Sequence, residues 1–499
     1  MRKAQGAGRK GPRVEGWQGG RVTGWKGKDG IGLAGIIDIG VHLPWRRLSG
    51  KEAGMAWGRP GGGERAVASY DEDSATMAIS AALKCIGACS PHEIDALHFV
   101  SVSPPYAEKS SASLVAAAAD LGNGIRTGDH GGSLRAGTGA LLSALDAVKA
   151  GTSRLSLVCA ADVRAAPPGS MLEMGFGDAG AAVLVGGENV VAELLASVSL
   201  SQEILDTWRT DEQKTVRTGD ARFNRIEAFA KCTLEACKAV LAKAGVEAKQ
   251  IAKAVITSPD GKGHGAVAKP LGLDPKAVVD PRTDALGMLG TAQPFISLAA
   301  ALENAVIGDK ILLACYGDGC DAMVFEVKPK IQQFKEGKRL ASSTAPLGYV
   351  KFLAYKKMLS ECGGESNAFA SQIQASREAP ISLRFHGKKC QACGTINTLS
   401  LRVCPHCGTR DRFDDIHLAK KGVVNTYTQE HYFPTPEPPV TMAVVDLDGG
   451  GRYLSQMTDV EAPEVKVGMK VEMTFRRLHE GGGFHNYCWK CRPVREAPR

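Results

Sequence analysis

The sequence predicts an α/β protein built on a duplicated βαβ-rich domain, followed by a cysteine ribbon and a small β-barrel. Three observations predict it. Between residues 31 and 327, short apolar runs alternate with segments of helical period, the pattern of a sheet covered by helices. Two words recur in that stretch: "RLSLVCAAD" returns as "KILLACYGD" and "FGDAGAAVLV" as "YGDGCDAMVF", about 140 to 160 residues later. Beyond residue 381, short strands with glycine turns follow two Cys-x-x-Cys-Gly motifs.

The chain has 499 residues, enough for several domains and a sizeable core. It is 44% hydrophobic and 23% charged, an ordinary globular composition. No run approaches the roughly 18 apolar residues of a membrane span, and the N-terminus lacks the apolar core of a secretory signal. Fourteen cysteines without such a signal point to reduced thiols in a cytoplasm, plus a metal site. The net charge of +8 does not indicate nucleic acid. Residues 1–29 hold eight Lys/Arg against Glu15 and Asp29, so most of the excess sits in a Gly-rich tail expected to be disordered.

Along the chain, "IGLAGIIDIGVHLP" (31–44) opens as strand, turn and strand. Helical patterns follow at "DSATMAISAALKCIG", "SASLVAAAADLG" and "GALLSALDAVKAG". Buried-strand runs are "ALHFVSVS", "RLSLVCAAD", "AAVLVGG", "KAVITSP" and "KILLACYG". Residues 331–380 change character, with charge, Pro and Ser around one amphipathic helix carrying Tyr349, Phe352, Leu353 and Met358. The boundaries expected are a tail at 1–29, the first domain at 30–330, a helix and linker at 331–380, a ribbon at 381–412 and a barrel at 413–499. The barrel's "TYTQEHYF" has aromatics without interleaved basic residues, which argues against binding of single-stranded nucleic acid.

Two segments carry chemistry. Residues 130–148, "HGGSLRAGTGALLSALDAV", bring a glycine-rich approach into a helix striped by Leu141, Leu142, Leu145 and Val148. Ala136, Gly137, Gly139 and Ala140 leave room for a second backbone at its start. A buried helix N-terminus stabilises a thiolate or an oxyanion, yet Ser133 and Leu134 stand there, and leucine is neither nucleophile nor acid. In "CQACGTINTLSLRVCPHCG", Cys390, Cys393, Cys404 and Cys407 have the spacing of a tetrahedral zinc site. Four protein ligands leave no open position, so the metal is expected to be structural. Cys488 and Cys491 have no second pair and lie in a predicted strand, so they are not assigned a metal.

On these motifs, residues 31 to about 360 resemble the hydroxymethylglutaryl-CoA synthase branch of the thiolase superfamily. The matching words are "GIIDIGVHLPWRRL", "SVSPPYAEKSSASLVAAAADLG", "RAGTGALLSALDAVKAG", "VCAADVR", "FGDAGAAVLV", "LDTWR" and "YGDG". Residues 381–494 resemble the acyl-CoA-associated zinc-ribbon and OB-fold family, in the four-cysteine ribbon, "GVVNTYT", "PPVTMAVVDLDGGGRYLSQMTDV", "VKVGMKVEMTF" and "CRP". The resemblance implies a thiolase-like fold, acyl-CoA as ligand or substrate, and a homo- or hetero-oligomer with a separate thiolase partner subunit. It also implies four altered catalytic positions. Leu134 stands for the nucleophilic Cys, Val102 for the Glu, Thr257 for the His and Met288 for the Asn. Claisen chemistry needs a nucleophile and a proton-transfer group, which Val, Leu and Met cannot supply. The expected function is therefore a non-catalytic acyl-CoA-binding subunit whose ribbon and barrel dock a thiolase. The alternative is an acyl-CoA aldolase or acyltransferase with a rebuilt site, for which Tyr106, Lys109, Asp129, His130, Ser133 and His264 lie nearest in sequence, His130 and Tyr106 foremost.

Overall fold

In the computed structural model, the described residues are 32–495 apart from 88, 262, 338–342, 360–369, 400 and 434; the basic tail lies outside them. Nine strands form the central sheet: β1 (Gly35–His42), β2 (Ala96–Val100), β3 (Arg126–His130), β4 (Leu155–Asp162), β5 (Ala179–Gly186), β6 (Ala192–Ser201), β7 (Ile251–Thr257), β8 (Lys310–Tyr316) and β9 (Gly319–Val327). Their spatial order is β7-β8-β9-β6-β1-β5-β4-β2-β3. Outward from the central β1–β6 pair, each half runs antiparallel, antiparallel, then parallel. The recurring words fall on equivalent strands, β4 with β8 and β5 with β9. The duplication read from the sequence is thus the architecture of the sheet.

The strands are near-continuous apolar runs because both faces of the sheet are covered; every residue of β5 is buried. On one face, α1 (Ser74–Ile86) and α2 (Ser111–Ala118) pack on the sheet. Asp73 caps α1 by accepting the Thr76 N–H. On the other face, α3 (Ala136–Lys149) and α5 (Gln293–Glu303) meet in a second cluster. A Cβ on Gly137 would lie 2.9 Å from the Thr291 carbonyl oxygen, so the small residues at the start of α3 do admit a second backbone. Between α3 and α5 in sequence, α4 (Lys231–Ala244) closes a third cluster over β7, β8 and β9.

Residues 343–358 belong to the first domain. Ala345–Pro346 pairs in parallel with Arg46–Arg47, and the Tyr349–Tyr355 helix buries Tyr349 and Phe352 against Leu48 and Val67. Two elements lie at the expected divisions. The break at 380/381 falls inside α6 (Gln372–Ser382), which packs on the barrel strand carrying Trp489. The break at 412/413 precedes β12 (Phe413–His417), which pairs with β10 (His386–Cys390) of the ribbon, beside the short β11 (Ile396–Asn397). The ribbon needs a returning strand to cover the β10 edge, and turn residues alone did not reveal it. The barrel follows as β13 (Lys421–Glu430), β14 (Val440–Leu447), β15 (Arg452–Gln456), β16 (Lys470–Gly481) and β17 (Phe484–Pro493). Their order is β15-β14-β13-β16-β17, with a Met457–Cys491 bridge closing the circuit.

The barrel is seated on α1. One apolar cluster runs from Ile79, Leu97 and Phe99 of the first domain to Phe475, Tyr487 and Trp489 of the barrel. Through it passes a buried ionic network. Arg476 is fully buried and contacts Glu72 through Nη1 and Asp459 through Nη2, the latter at 2.5 Å. Lys490, also fully buried, lies 2.9 Å from Asp71, and Tyr487 donates to Asp73 at 2.8 Å. His42 Nε2 stands 2.7 Å from Glu72. At the ribbon end, Asp120 lies within 3.0 Å of Arg384, His386 and His417.

Burial pushes the His42 imidazole down to about 4, although the Glu72 carboxylate pulls the other way. The unfolded chain binds this proton below about pH 6.5, the folded chain only near pH 4. Between those values the unfolded state holds more protons, so stability falls as pH falls, by on the order of 3 kcal/mol across the window. Urea unfolding of the wild type and His42→Gln at pH 7 and pH 4.5 checks this: the variant loses distinctly less stability on acidification.

Candidate functional site

In a parallel α/β sheet, ligands meet the carboxyl ends of the strands. Here that edge is formed by the residues after β2, β4, β7 and β8, and the loop into α3. Asp162, at the end of β4, organises it. One carboxylate oxygen accepts from Ser101 Oγ, the Val102 N–H and Ser103 Oγ at 2.8 to 2.9 Å. The other accepts from the N–H and hydroxyl of Thr291 at 2.7 and 2.8 Å. All five donors fix the β2 turn around Val102 to the segment before α5.

Leu134 precedes α3, whose N-terminal Arg135 reaches into the second half. Its guanidinium donates to the Gly317 and Asp318 carbonyls and lies 3.1 Å from Asp321. Met288 is held in a two-stranded contact with Phe176, its N–H donating to the Gly175 carbonyl at 2.8 Å. Thr257 ends β7, its hydroxyl 3.4 Å from the Ala314 carbonyl. Leu134, Thr257 and Met288 come together around a cavity of about 30 Å³, with Cys315 beside them. This opens between two larger clefts, of about 1020 and 870 Å³, both lined by Leu134, Arg164 and Trp208. Val102 lines the smaller of the two, and two barrel residues, Arg477 and His485, complete its wall. Leu134 lines all three spaces, Thr257 only the small cavity, Met288 that cavity and the 1020 Å³ cleft, and Val102 only the 870 Å³ cleft.

The thiols near it are poor nucleophiles. Burial pushes Cys315 up to about 11 and Cys159 well above the usual thiol range. Of the six residues nearest in sequence, His130 pairs with His98 (Nε2 to Nδ1, 2.8 Å) and lines the 870 Å³ cleft. Burial lowers both imidazoles, His98 to about 4. Tyr106 lines the same cleft but accepts the His485 N–H at 2.7 Å, which ties it to the barrel. Asp129 caps α2 through the Ser111 and Ala112 N–H groups. Lys109 sits 5.6 Å from the Tyr106 ring centre, and Ser133 Oγ accepts from the Arg135 N–H at 3.3 Å. His264 lines none of these cavities, and its Nδ1 is buried without a partner. Arg164 and Trp208 were not singled out from sequence; each lay in a matched word, but nothing marked it as facing a cleft.

The ribbon brings its four sulfurs together. Cys390 and Cys407 stand 3.6 Å apart, and Cys393 and Cys404 3.7 Å. A tetrahedral site with metal–sulfur bonds of about 2.3 Å has edges of about 3.8 Å, so the spacing fits a metal. Gly394 and Gly408, both at φ 74°, provide the left-handed turn each knuckle needs. Thr395 and Thr409 lie 3.2 Å from the sulfurs of Cys393 and Cys407 and hold both thiols below their usual range. Cys488 and Cys491 are three apart on β17, and side chains at that spacing point to opposite faces.

Comparison with known proteins agrees with both halves. Residues 415–476 match the family model of the ChsH2 C-terminal OB-fold domain. The hydroxymethylglutaryl-CoA synthase of Methanopyrus kandleri is 31% identical over 339 residues, covering 65% of this chain and 96% of that protein. That of Archaeoglobus fulgidus is 30% identical over 338 residues, covering 65% and 98%. Among solved structures, MvaS in complex with 3-hydroxy-3-methylglutaryl coenzyme A aligns with a TM-score of 0.58 at 19% identity, over 68% of this chain and 95% of that one. The 3-oxoacyl-[acyl-carrier-protein] synthase III of Aquifex aeolicus aligns at 0.52 and 23%, over 59% and 99%. These structural likenesses speak for the thiolase-like fold. Over its first two thirds, the chain belongs to the hydroxymethylglutaryl-CoA synthase family, and it carries in addition a C-terminal OB-fold domain of the ChsH2 kind.

Proposed function

We propose that this chain is a non-catalytic, acyl-CoA-binding member of its family that supports a separate, cysteine-bearing thiolase. The observation that carries the reading is that Val102, Leu134, Thr257 and Met288 line three neighbouring spaces that meet at Leu134 and Arg164. The family resemblance assigns these positions to Glu, Cys, His and Asn. Here no thiol stands at the start of α3, and the nearest one, Cys315, is buried and held protonated. The space for a thioester chain remains. A solved structure in the fold is a complex with 3-hydroxy-3-methylglutaryl coenzyme A, which supports an acyl-CoA ligand for this cleft.

The route to a partner differs from a freely presented docking arm. One side of the barrel is committed to α1 of its own chain through Arg476 and Lys490. The surfaces left for assembly are the outer barrel, which exposes Leu454, Tyr432 and Phe433, and the open edge of β3. That strand ends the nine-stranded sheet and, among the described residues, pairs only with β2, so its free backbone groups suit extension by a like strand. A rebuilt enzyme is the second reading. It is favoured by His130, whose uncharged imidazole faces the 870 Å³ cleft and is a candidate proton acceptor. To the four-cysteine ribbon we assign structural zinc, for which thiolate softness and tetrahedral spacing are suited.

Three outcomes test this. Purified protein contains about one zinc per chain. Removing a ligand by Cys404→Ser forfeits on the order of 10 kcal/mol of ribbon stability while leaving the first domain folded; elemental analysis and limited proteolysis check it. Incubation with acetyl-CoA leaves no stoichiometric acyl adduct on any residue by intact mass, and Cys159 and Cys315 alkylate at least about 100-fold more slowly than an ordinary exposed thiol. Co-expressed with a thiolase encoded beside it, the chain co-elutes in a complex on size exclusion. A partner that elutes alone and fully active, with this chain a monomer, favours the rebuilt enzyme.

A further inference from the structure

Arg164 lies two residues beyond β4, where both large clefts and the small cavity between them meet. Only 6% of its surface is exposed. Among the described residues, its buried Nε has no hydrogen-bond partner. Among the described residues, the guanidinium's one hydrogen bond is a long one, from Nη2 to the Met288 carbonyl at 3.4 Å. The face of Phe176 lies 3.9 Å from its Cζ, a contact that softens the burial of a cation without neutralising it. Two carboxylates are near enough to be felt, Asp162 and Asp178. Both are spent elsewhere: Asp162 on its five donors, Asp178 on Lys356 at 2.6 and 2.7 Å and the Ala68 N–H at 2.8 Å.

A buried guanidinium without a paired anion is costly, by several kcal/mol of desolvation. Where such a group faces a cleft, an anion arriving with the ligand removes the penalty. Its place decides which anion. Leu134 and Met288 line the same cavity, so the charge sits where the acyl end of a thioester lands under the proposed function, on which this inference rests. Arg209 and Lys214 also line the 870 Å³ cleft and are exposed, within reach of phosphates.

We propose that Arg164 is a specificity-determining residue that receives a carboxylate carried by the acyl group, so that the site favours dicarboxylic acyl thioesters of coenzyme A over neutral ones. Leu134, Met288 and Phe176 then accommodate the methylenes between thioester and carboxylate, and the planar guanidinium pairs with the carboxylate through its unused N–H groups.

Isothermal titration of the full-length, metal-loaded chain with glutaryl-CoA, pentanoyl-CoA and free coenzyme A tests this. The two acyl groups have the same carbon count and differ in one terminal carboxylate. The wild type is expected to bind glutaryl-CoA at least tenfold more tightly than pentanoyl-CoA. Arg164→Met is expected to lose that preference while keeping pentanoyl-CoA, and Arg164→Lys to retain part of it. Equal wild-type affinities for the two thioesters overturn the inference without any variant, and leave acyl-CoA binding standing. A loss in Arg164→Met shared equally by all three ligands, free coenzyme A included, also overturns it, since Arg164 would then hold a phosphate. If neither thioester binds the wild type, the proposed function falls, and this inference falls with it.

Discussion

The contact between Arg476 and Glu72, inside a seam from which water is excluded, is the constraint on which the arrangement of the two halves depends. Arg476 comes from the barrel and has no exposed surface; Glu72 precedes α1 and has none either. Asp459 completes the pairing from the barrel side, and Lys490 with Asp71 repeats it one strand away. Removing one member of such a group leaves a charge buried and unpaired, at a cost of roughly 3–5 kcal/mol. The seam is therefore selective: it holds together only in the register that brings each cation to its carboxylate. Around it the apolar cluster from Phe99 to Trp489 provides the non-directional part of the attraction.

The segment Tyr70–Asp73 serves several roles at once. Its Asp73 caps α1 and accepts from Tyr487, its Glu72 holds His42 and Arg476, and its Asp71 holds Lys490. The start of a helix on the sheet is thereby the docking point of the barrel. Because the barrel is held there, Arg477 and His485 reach the wall of the 870 Å³ cleft, and His485 fixes Tyr106. The second domain is thus part of the site rather than an appendage to it. Leu134 and Val102 line a cleft to which both domains contribute.

The start of α3 is fixed by packing. Gly137 keeps the close approach to Thr291, and Arg135 and Thr138 still clamp the helix to Asp321 across the pseudo-two-fold. None of these contacts requires a reactive side chain at 134.

Much of this was legible in the sequence, for a physical reason: it depends on short-range patterns. The period of apolar residues announced the strands and helices, the repeated words announced the duplicated sheet, and two knuckles of Cys-x-x-Cys-Gly announced a metal ribbon whose sulfurs do converge. Val102, Leu134, Thr257 and Met288 could be singled out because each sits in a recognisable turn. What only the tertiary structure decided depends on residues brought together across hundreds of positions. Arg476 and Glu72 are 404 residues apart, and nothing local marks either as buried. The helix at Gln372–Ser382 spans an expected boundary because it packs on a barrel strand far along the chain, and the strand at Phe413–His417 pairs back with the ribbon. Arg164 reads in sequence as a charged residue ending a strand. Only folding withdraws it from water beside Leu134 and uses up every carboxylate near it.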